Sequence, residues 1–160
     1  MIGALKPLAC LYCAVALAPQ LVAGPIVRAK HFHSELTKER NFTVLNLKVG
    51  LAFIVFGLVK KLVVADNLGL HVDEIFSSAK AVENTIAVMY GSLCFGIQIY
   101  CDFSAYTDIA IGSAILFGIK LPENFNHPYL SKSPQEFWRR WHITLSTWLR
   151  DYVYISFGGN

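Results

Sequence analysis

Charged residues punctuate this chain at long intervals, and the gaps between them predict its elements. Pro7 to Val27 carries no charge over 21 positions and Asn84 to Cys101 none over 18. Each reaches the length of about 20 apolar residues that a membrane-crossing helix needs. Two shorter runs, Val49 to Val59 and Ile109 to Ile119, hold 11 residues each between charged neighbours. These are too short to cross unless flanking side chains extend toward water or polar groups are buried in protein. Gln98, Asp102, Ser104, Tyr106, Thr107 and Asp108 interrupt an otherwise apolar stretch from Ile86 to Ile119. A carboxylate within a bilayer needs a partner or a wet cavity, so a buried Asp102 or Asp108 is expected to seek an arginine. Two readings stand side by side: a polar wall along a chamber or substrate path, and a helix break at an interface with both carboxylates in water.

A different pattern begins at Ser133. Ser133 can cap a helix, Pro134 suits its first position, and Glu136 can reach back to complete a capping box. The spacing predicts one helical run onward to Gly158-Gly159, which cannot prolong it cheaply. At about 100° per residue, Arg139, His142, Ser146 and Arg150 share one stripe, and Trp138, Trp141, Leu145, Trp148 and Leu149 gather opposite. Such a helix can lie at a membrane interface, with tryptophan at the headgroups and arginine reaching phosphate, or it can line a polar reaction chamber.

Composition favours a membrane setting. Hydrophobic residues make up 54% of the 160 positions and charged residues only 16%, against about 25% charged in ordinary soluble domains. Several crossing helices with their loops use nearly the whole length, giving an all-α, polytopic membrane protein with a single domain over 1–160. A secretory leader is the rival reading of the N-terminus, with Leu8 to Ala18 as its apolar core. Pro19 at the new terminus and continuing apolar sequence to Val27 argue against it. Lysine and arginine between Arg28 and Lys48, and again between Lys120 and Arg140, place those segments on the cytoplasmic side, while the acidic connection from Asp66 to Glu83 faces outward. That arrangement requires an odd number of crossings between Asn84 and Ile119. Either one long, tilted or broken helix crosses there, or one of two segments is re-entrant.

Four segments resemble one family. Ala18-Pro19-Gln20-Leu21-Val22-Ala23-Gly24-Pro25-Ile26-Val27-Arg28, Cys101 to Gly112, Leu121 to Tyr129, and Glu136 to Gly159 are similar, in order, to motifs of the membrane-bound O-acyltransferases, especially the bacterial alginate O-acetyltransferase branch. The resemblance implies tilted and partly re-entrant helices around a transmembrane tunnel in the bacterial inner membrane. It also implies an enzyme that takes an acyl group, in this branch acetyl, from a cytoplasmic thioester such as acyl-CoA and passes it toward hydroxyls of an extracytoplasmic polysaccharide. Extracytoplasmic acetyltransferase proteins are the implied partners, and no cofactor or metal is implied beyond the donor. His142 matches a family histidine near the reaction centre. The family's principal histidine lies downstream in a Trp-His pair that this chain does not reach, and further spanning helices usually precede its first run. The resemblance therefore implies an interior part of a longer protein, inactive by itself.

The chemistry fits those side chains. A hydroxyl attacks a thioester only when a base removes its proton, and imidazole, with a pKa near 6.5, suits that task. His142 can act so directly or can orient the downstream histidine, and the family pattern favours the second role. Arg139 and Arg150, with Ser146 between them on the stripe, can attract a phosphorylated donor, or equally pair with carboxylates or lipid phosphate. Gln98, Asp102 and Asp108 are the candidate polar wall of the tunnel.

Other chemistries are poorly supported. Cys10 and Cys13 have redox spacing but sit in an apolar run, and Cys94 with Cys101 needs only packing. His31 and His33 lack further ligands nearby, and His127 sits in a turn-like stretch between Asn126 and Pro128. There is no glycine-rich phosphate loop, serine elbow or repeat. The net charge of +3 reflects basic residues flanking apolar runs rather than a nucleic-acid footprint. A transporter subunit, with carboxylates paired between repeats, and a non-catalytic membrane scaffold remain the alternatives.

Overall fold

The computed structural model describes residues 25–26, 43–78 and 83–159. The body of the first apolar run, Cys10, Cys13, His31 and His33 lie outside the described residues. Within them the chain is helical, with no strand.

Thr43 starts the first long element by accepting the amide of Asn46 on its hydroxyl, which relieves one of the unpaired donors at a helix start. Helix α1 (Val44–Val59) passes without a break into a wider π segment (Lys60–Ala65) and then into α2 (Asp66–Ser77). Asn84 caps α3 (Thr85–Leu116), its side-chain oxygen accepting the amides of Ile86 and Ala87. The two short apolar runs that looked inadequate are thus largely parts of longer helices: Val49–Val59 lies within α1, and Ile109 to Leu116 forms the end of α3. Of the two expected arrangements between Asn84 and Ile119, the structure has one long helix, α3, without a re-entrant second segment. At about 1.5 Å per residue its 32 residues span roughly 48 Å, and it is the one helix among the described residues long and apolar enough to cross a membrane.

The α1–α2 rod packs antiparallel on α3 through glycines. A Cβ at Gly112 would lie 2.6 Å from the Gly50 carbonyl oxygen, and one at Gly57 would lie 2.7 Å from that of Ala105. Gly69 meets Gln98, and Gly91 meets Ile75 and Phe76. Small residues in register let two backbones approach closely, as in lipid-embedded helix pairs. The hairpin puts Lys48 and Lys120 at one end and Asp73, Glu74 and Glu83 at the other.

Helix α3 ends in a left-handed glycine. Gly118, at φ 70°, lets its own amide reach Ile115 O and lets Ile119 N reach Ala114 O, both at 2.9 Å. This pairing satisfies terminal carbonyls and brings Ile119, 2% exposed, onto buried Ala114. An irregular segment then runs back along α3 through a short 3₁₀ turn (Pro128–Leu130) to α4 (Pro134–Arg140), α5 (Ile143–Leu149) and a second π segment (Arg150–Tyr154).

Candidate functional site

The start of α4 follows the sequence closely. Ser133 Oγ accepts the Glu136 amide at 3.1 Å, with Pro134 in the first turn. Glu136 reaches back one residue further than a standard capping box, accepting from Lys132 N at 2.8 Å while it pairs with Arg140 at 2.6 Å. These contacts hold its carboxyl below the usual carboxylate range.

The single helix expected from Ser133 onward does not form. Trp141 is extended at φ −101°, ψ 127°, and His142 is left-handed at φ 43°, ψ 56°, so α4 and α5 are separate helices. No glycine or proline marks this break. The cause is tertiary: Asn126 N donates to Arg140 O and Ile143 N donates to Asn124 O, each at 2.9 Å, so the preceding segment takes over backbone groups that a helix would use. Side chains complete the clamp. The Asn124 side-chain oxygen accepts the Thr144 hydroxyl at 2.6 Å, Thr144 Oγ1 in turn accepts Ile26 N at 2.9 Å, and Ser146 Oγ donates to the otherwise terminal Trp141 carbonyl at 3.2 Å. A non-glycine residue in the left-handed region is strained by about 1–3 kcal/mol, a strain that tends to collect at functional positions.

An aromatic wall supports the break. Trp141 meets Phe125 edge-on at 5.1 Å and stacks on Phe137 at 5.5 Å. Phe125 meets Tyr100 and Phe103 on α3. The His142 ring stands edge-on to Phe103, centroids 4.8 Å apart at 83°. Its Nδ1 is buried without a partner among the described residues, and burial pushes its pKa below that of a free imidazole. Both features disfavour the charged form of the ring and leave a nitrogen open to a further partner.

Beside this wall lies a cavity of about 200 Å³. Lys60, Tyr100, Ser104, Asp108, Asn124 and Phe125 are among its lining residues. Lys60 Nζ pairs with Asp108 at 2.5 Å and donates to Ser104 at 2.9 Å, while Lys61 bridges Asp66 and Asp102 at 2.8 and 2.9 Å. The carboxylates therefore do have partners, but these are lysines of the π segment, not the expected arginines. Register explains it, since the hairpin puts Lys60 opposite Ser104 and Asp108 before any arginine can reach.

The stripe is only partly preserved. His142, Ser146 and Arg150 keep their spacing along α5 and its π extension, whereas Arg139 sits before the break on α4 and is exposed. Arg150 is 62% exposed and pairs with neighbouring Asp151. Neither arginine lines the cavity described above, nor does His142, whose ring packs on Phe103, itself against the lining residue Phe125. Gln98 packs against Gly69 with its Oε1 buried and without a partner among the described residues. His127 is also left-handed, at φ 45°, and opens the 3₁₀ turn. Sequence reasoning missed Lys60, Lys61, Asn124 and Thr144. The lysine pair at the end of an apolar run, facing a helix with two aspartates, was the available signal. No group of three His, Cys, Asp or Glu side chains among the described residues could hold a metal ion.

Comparison with known proteins bears directly on this arrangement. The profile of the membrane-bound O-acyltransferase family matches residues 11–160. The chain is 46% identical over 148 residues to the probable alginate O-acetylase AlgI of Pseudomonas aeruginosa, covering 91% of this chain and 28% of that protein. It is 46% identical over 152 residues to the peptidoglycan O-acetyltransferase of Helicobacter pylori, again 91% and 28%. Against the teichoic acid D-alanyltransferase of Bacillus subtilis the identity is 34% over 145 residues, covering 87% of this chain and 35% of the other. The chain thus spans about a third or less of the length of these relatives. With the family profile matched across all but its first ten residues, the chain belongs to the membrane-bound O-acyltransferase family.

Proposed function

We propose that this chain forms part of the interior of a multi-pass O-acyltransferase of the bacterial inner membrane, which passes an acetyl group from a cytoplasmic thioester, acyl-CoA or a similar donor, toward hydroxyls of an extracytoplasmic polysaccharide. The observation that carries the reading is His142: an imidazole whose buried Nδ1 has no partner among the described residues, held in a left-handed turn on an aromatic wall. In the reaction the acceptor oxygen attacks the thioester carbonyl carbon, a C–O bond forms and the C–S bond breaks. The hydroxyl proton leaves through imidazole to the departing thiolate sulfur. His142 serves as the supporting histidine, orienting a second base or relaying this proton. The names of the relatives, covering both acetyl and D-alanyl transfer, support an acyl transfer shared across different acceptors.

Arg139 and Arg150 are exposed cations suited to the phosphates of the donor or of lipid, and Ser146 acts through the backbone of the break. Gln98, Asp102 and Asp108 belong to the polar side of the tunnel, with Asp102 and Asp108 neutralised by lysine. A transporter would pair such carboxylates between repeats, whereas here they pair across adjacent antiparallel helices of unlike sequence. Partners on this reading are extracytoplasmic acetyltransferase proteins that complete delivery to polymer.

The test is the full-length protein carrying His142→Ala, expressed in a host lacking the activity, with ester-linked acetate on the exopolymer measured by proton NMR. Loss of at least nine-tenths of the acetate is expected at equal membrane abundance. Wild-type acetate would refute the reading.

A further inference from the structure

We propose that Asn124 is a positioning residue that sets the direction of the His142 imidazole, and that the Asn124–Thr144 hydrogen bond is the strut through which it does so. The inference rests on the acyl-transfer reading of His142 and adds a residue which that reading does not require.

Three contacts converge immediately after His142. The Asn124 carbonyl accepts Ile143 N at 2.9 Å. The Asn124 side-chain oxygen accepts Thr144 Oγ1 at 2.6 Å and Thr144 N at 3.4 Å. One residue thus binds both amides that open α5 and fixes where that helix begins. Because the amide of Thr144 can only donate, the side-chain orientation of Asn124 is fixed as well. Thr144 Oγ1 extends the strut to Ile26 N at 2.9 Å, beside fully buried Pro25. The segment from Pro25 to Ile26, the segment after α3 and the His142 turn are therefore joined through one hydroxyl.

Burial makes the strut stiff. Asn124 is 0% exposed and Thr144 7%, so water does not compete for the 2.6 Å bond. The Asn124 Nδ2 group is buried without a partner among the described residues. An unsatisfied buried donor lowers stability, so an asparagine kept for stability alone is a poor choice here. Its acceptor oxygen does what the position needs. Asn124 also lines the cavity that holds the Lys60–Asp108 pair, which links the polar pocket to the histidine turn by a single side chain.

The experiment uses inverted membrane vesicles containing the full-length protein, supplied with acetyl-CoA as the donor probe. Rates of thiol release and melting temperatures are measured for Asn124→Ala, Thr144→Val, Thr144→Ser and His142→Ala. The expected result is a fall in kcat of tenfold or more for Asn124→Ala and Thr144→Val, with the KM for acetyl-CoA within twofold of wild type. Thr144→Ser keeps the hydroxyl and should return to within twofold of the wild-type rate. If His142→Ala is slow while Asn124→Ala and Thr144→Val run at the wild-type rate, the positioning role is overturned and the acyl-transfer reading survives. If His142→Ala itself runs at the wild-type rate, that reading fails and takes this one with it. Thr144→Ser as impaired as Thr144→Val, or a loss of rate that only tracks a loss of folded protein, also overturns the proposal.

Discussion

Replacing Lys60 with methionine should destabilise the helical hairpin far more than the same change at Lys61, although the two lysines are adjacent and each contacts carboxylate. The difference follows from burial. Lys60 and Asp108 are 16% and 18% exposed in their side chains, 2.5 Å apart, and Lys60 also binds Ser104 and lies 5.1 Å from the centroid of the Phe56 ring. Methionine keeps the packing of the stem but leaves Asp108 as an uncompensated charge. Breaking one side of a buried pair costs about 3–5 kcal/mol, and residual access to water places this case near 3. Lys61, Asp66 and Asp102 are 43%, 46% and 52% exposed, where an ion pair contributes about 0–1 kcal/mol. The double replacement Lys60→Met with Asp108→Leu removes both charges and should recover to within about 1 kcal/mol of wild type, because apolar substitutes for a buried pair are often neutral or better. The assay is reversible unfolding of the protein in mixed micelles, titrated with a denaturing detergent and followed by tryptophan fluorescence. A Lys60→Met protein no less stable than Lys61→Met, or a double variant as unstable as Lys60→Met alone, would falsify the claim that this pair is a desolvated contact between the first π segment and α3.

Two further outcomes follow from close packing and from burial. Gly112→Ala puts a methyl 2.6 Å from the Gly50 carbonyl, so the helices must separate, and a loss of about 1–3 kcal/mol is expected in the same unfolding assay, against no loss for an alanine at Gly96, whose added methyl would meet only the Tyr129 hydroxyl at 3.7 Å. For pH, burial holds the His142 pKa below its ordinary value, so the folded protein binds this proton less readily than the unfolded chain. Its stability contribution is complete above about pH 6.5 and falls as pH drops through that value toward the lower folded one. The acid limb of the transfer rate should accordingly lie below pH 6.5, and a limb at or above it in the full-length enzyme would contradict the burial of the ring.

Much of this arrangement was legible in the residues, and what was not has identifiable causes. Ser133, Pro134 and Glu136 announce the start of α4 because capping is local chemistry. The long apolar stretch from Asn84 onward gave one of its two expected forms, a single helix from Thr85 to Leu116 long and apolar enough to cross a membrane. The break at His142 was hidden, since a run of tryptophan, arginine and leucine has every local reason to stay helical. Amide and carbonyl groups of Asn124 and Asn126, fourteen to nineteen positions earlier, impose it. The lysine–aspartate pairing was hidden for a similar reason: periodicity gives the face of a helix but not the register between two helices, and only the glycine contacts fix that register. Arg139 was assigned to the His142 stripe by counting through residues that turn out not to be helical.

Acyl transfer through this site depends most on where the His142 ring points in the complete protein with donor present. A cryo-electron microscopy map of the full-length molecule in a lipid nanodisc with a non-hydrolysable acetyl-CoA analogue measures this directly. The expected map shows the imidazole on a water-connected, protein-walled path, with the acyl carbonyl of the analogue at its end. A ring packed among lipid chains, or an analogue bound on a path that never approaches residue 142, contradicts it.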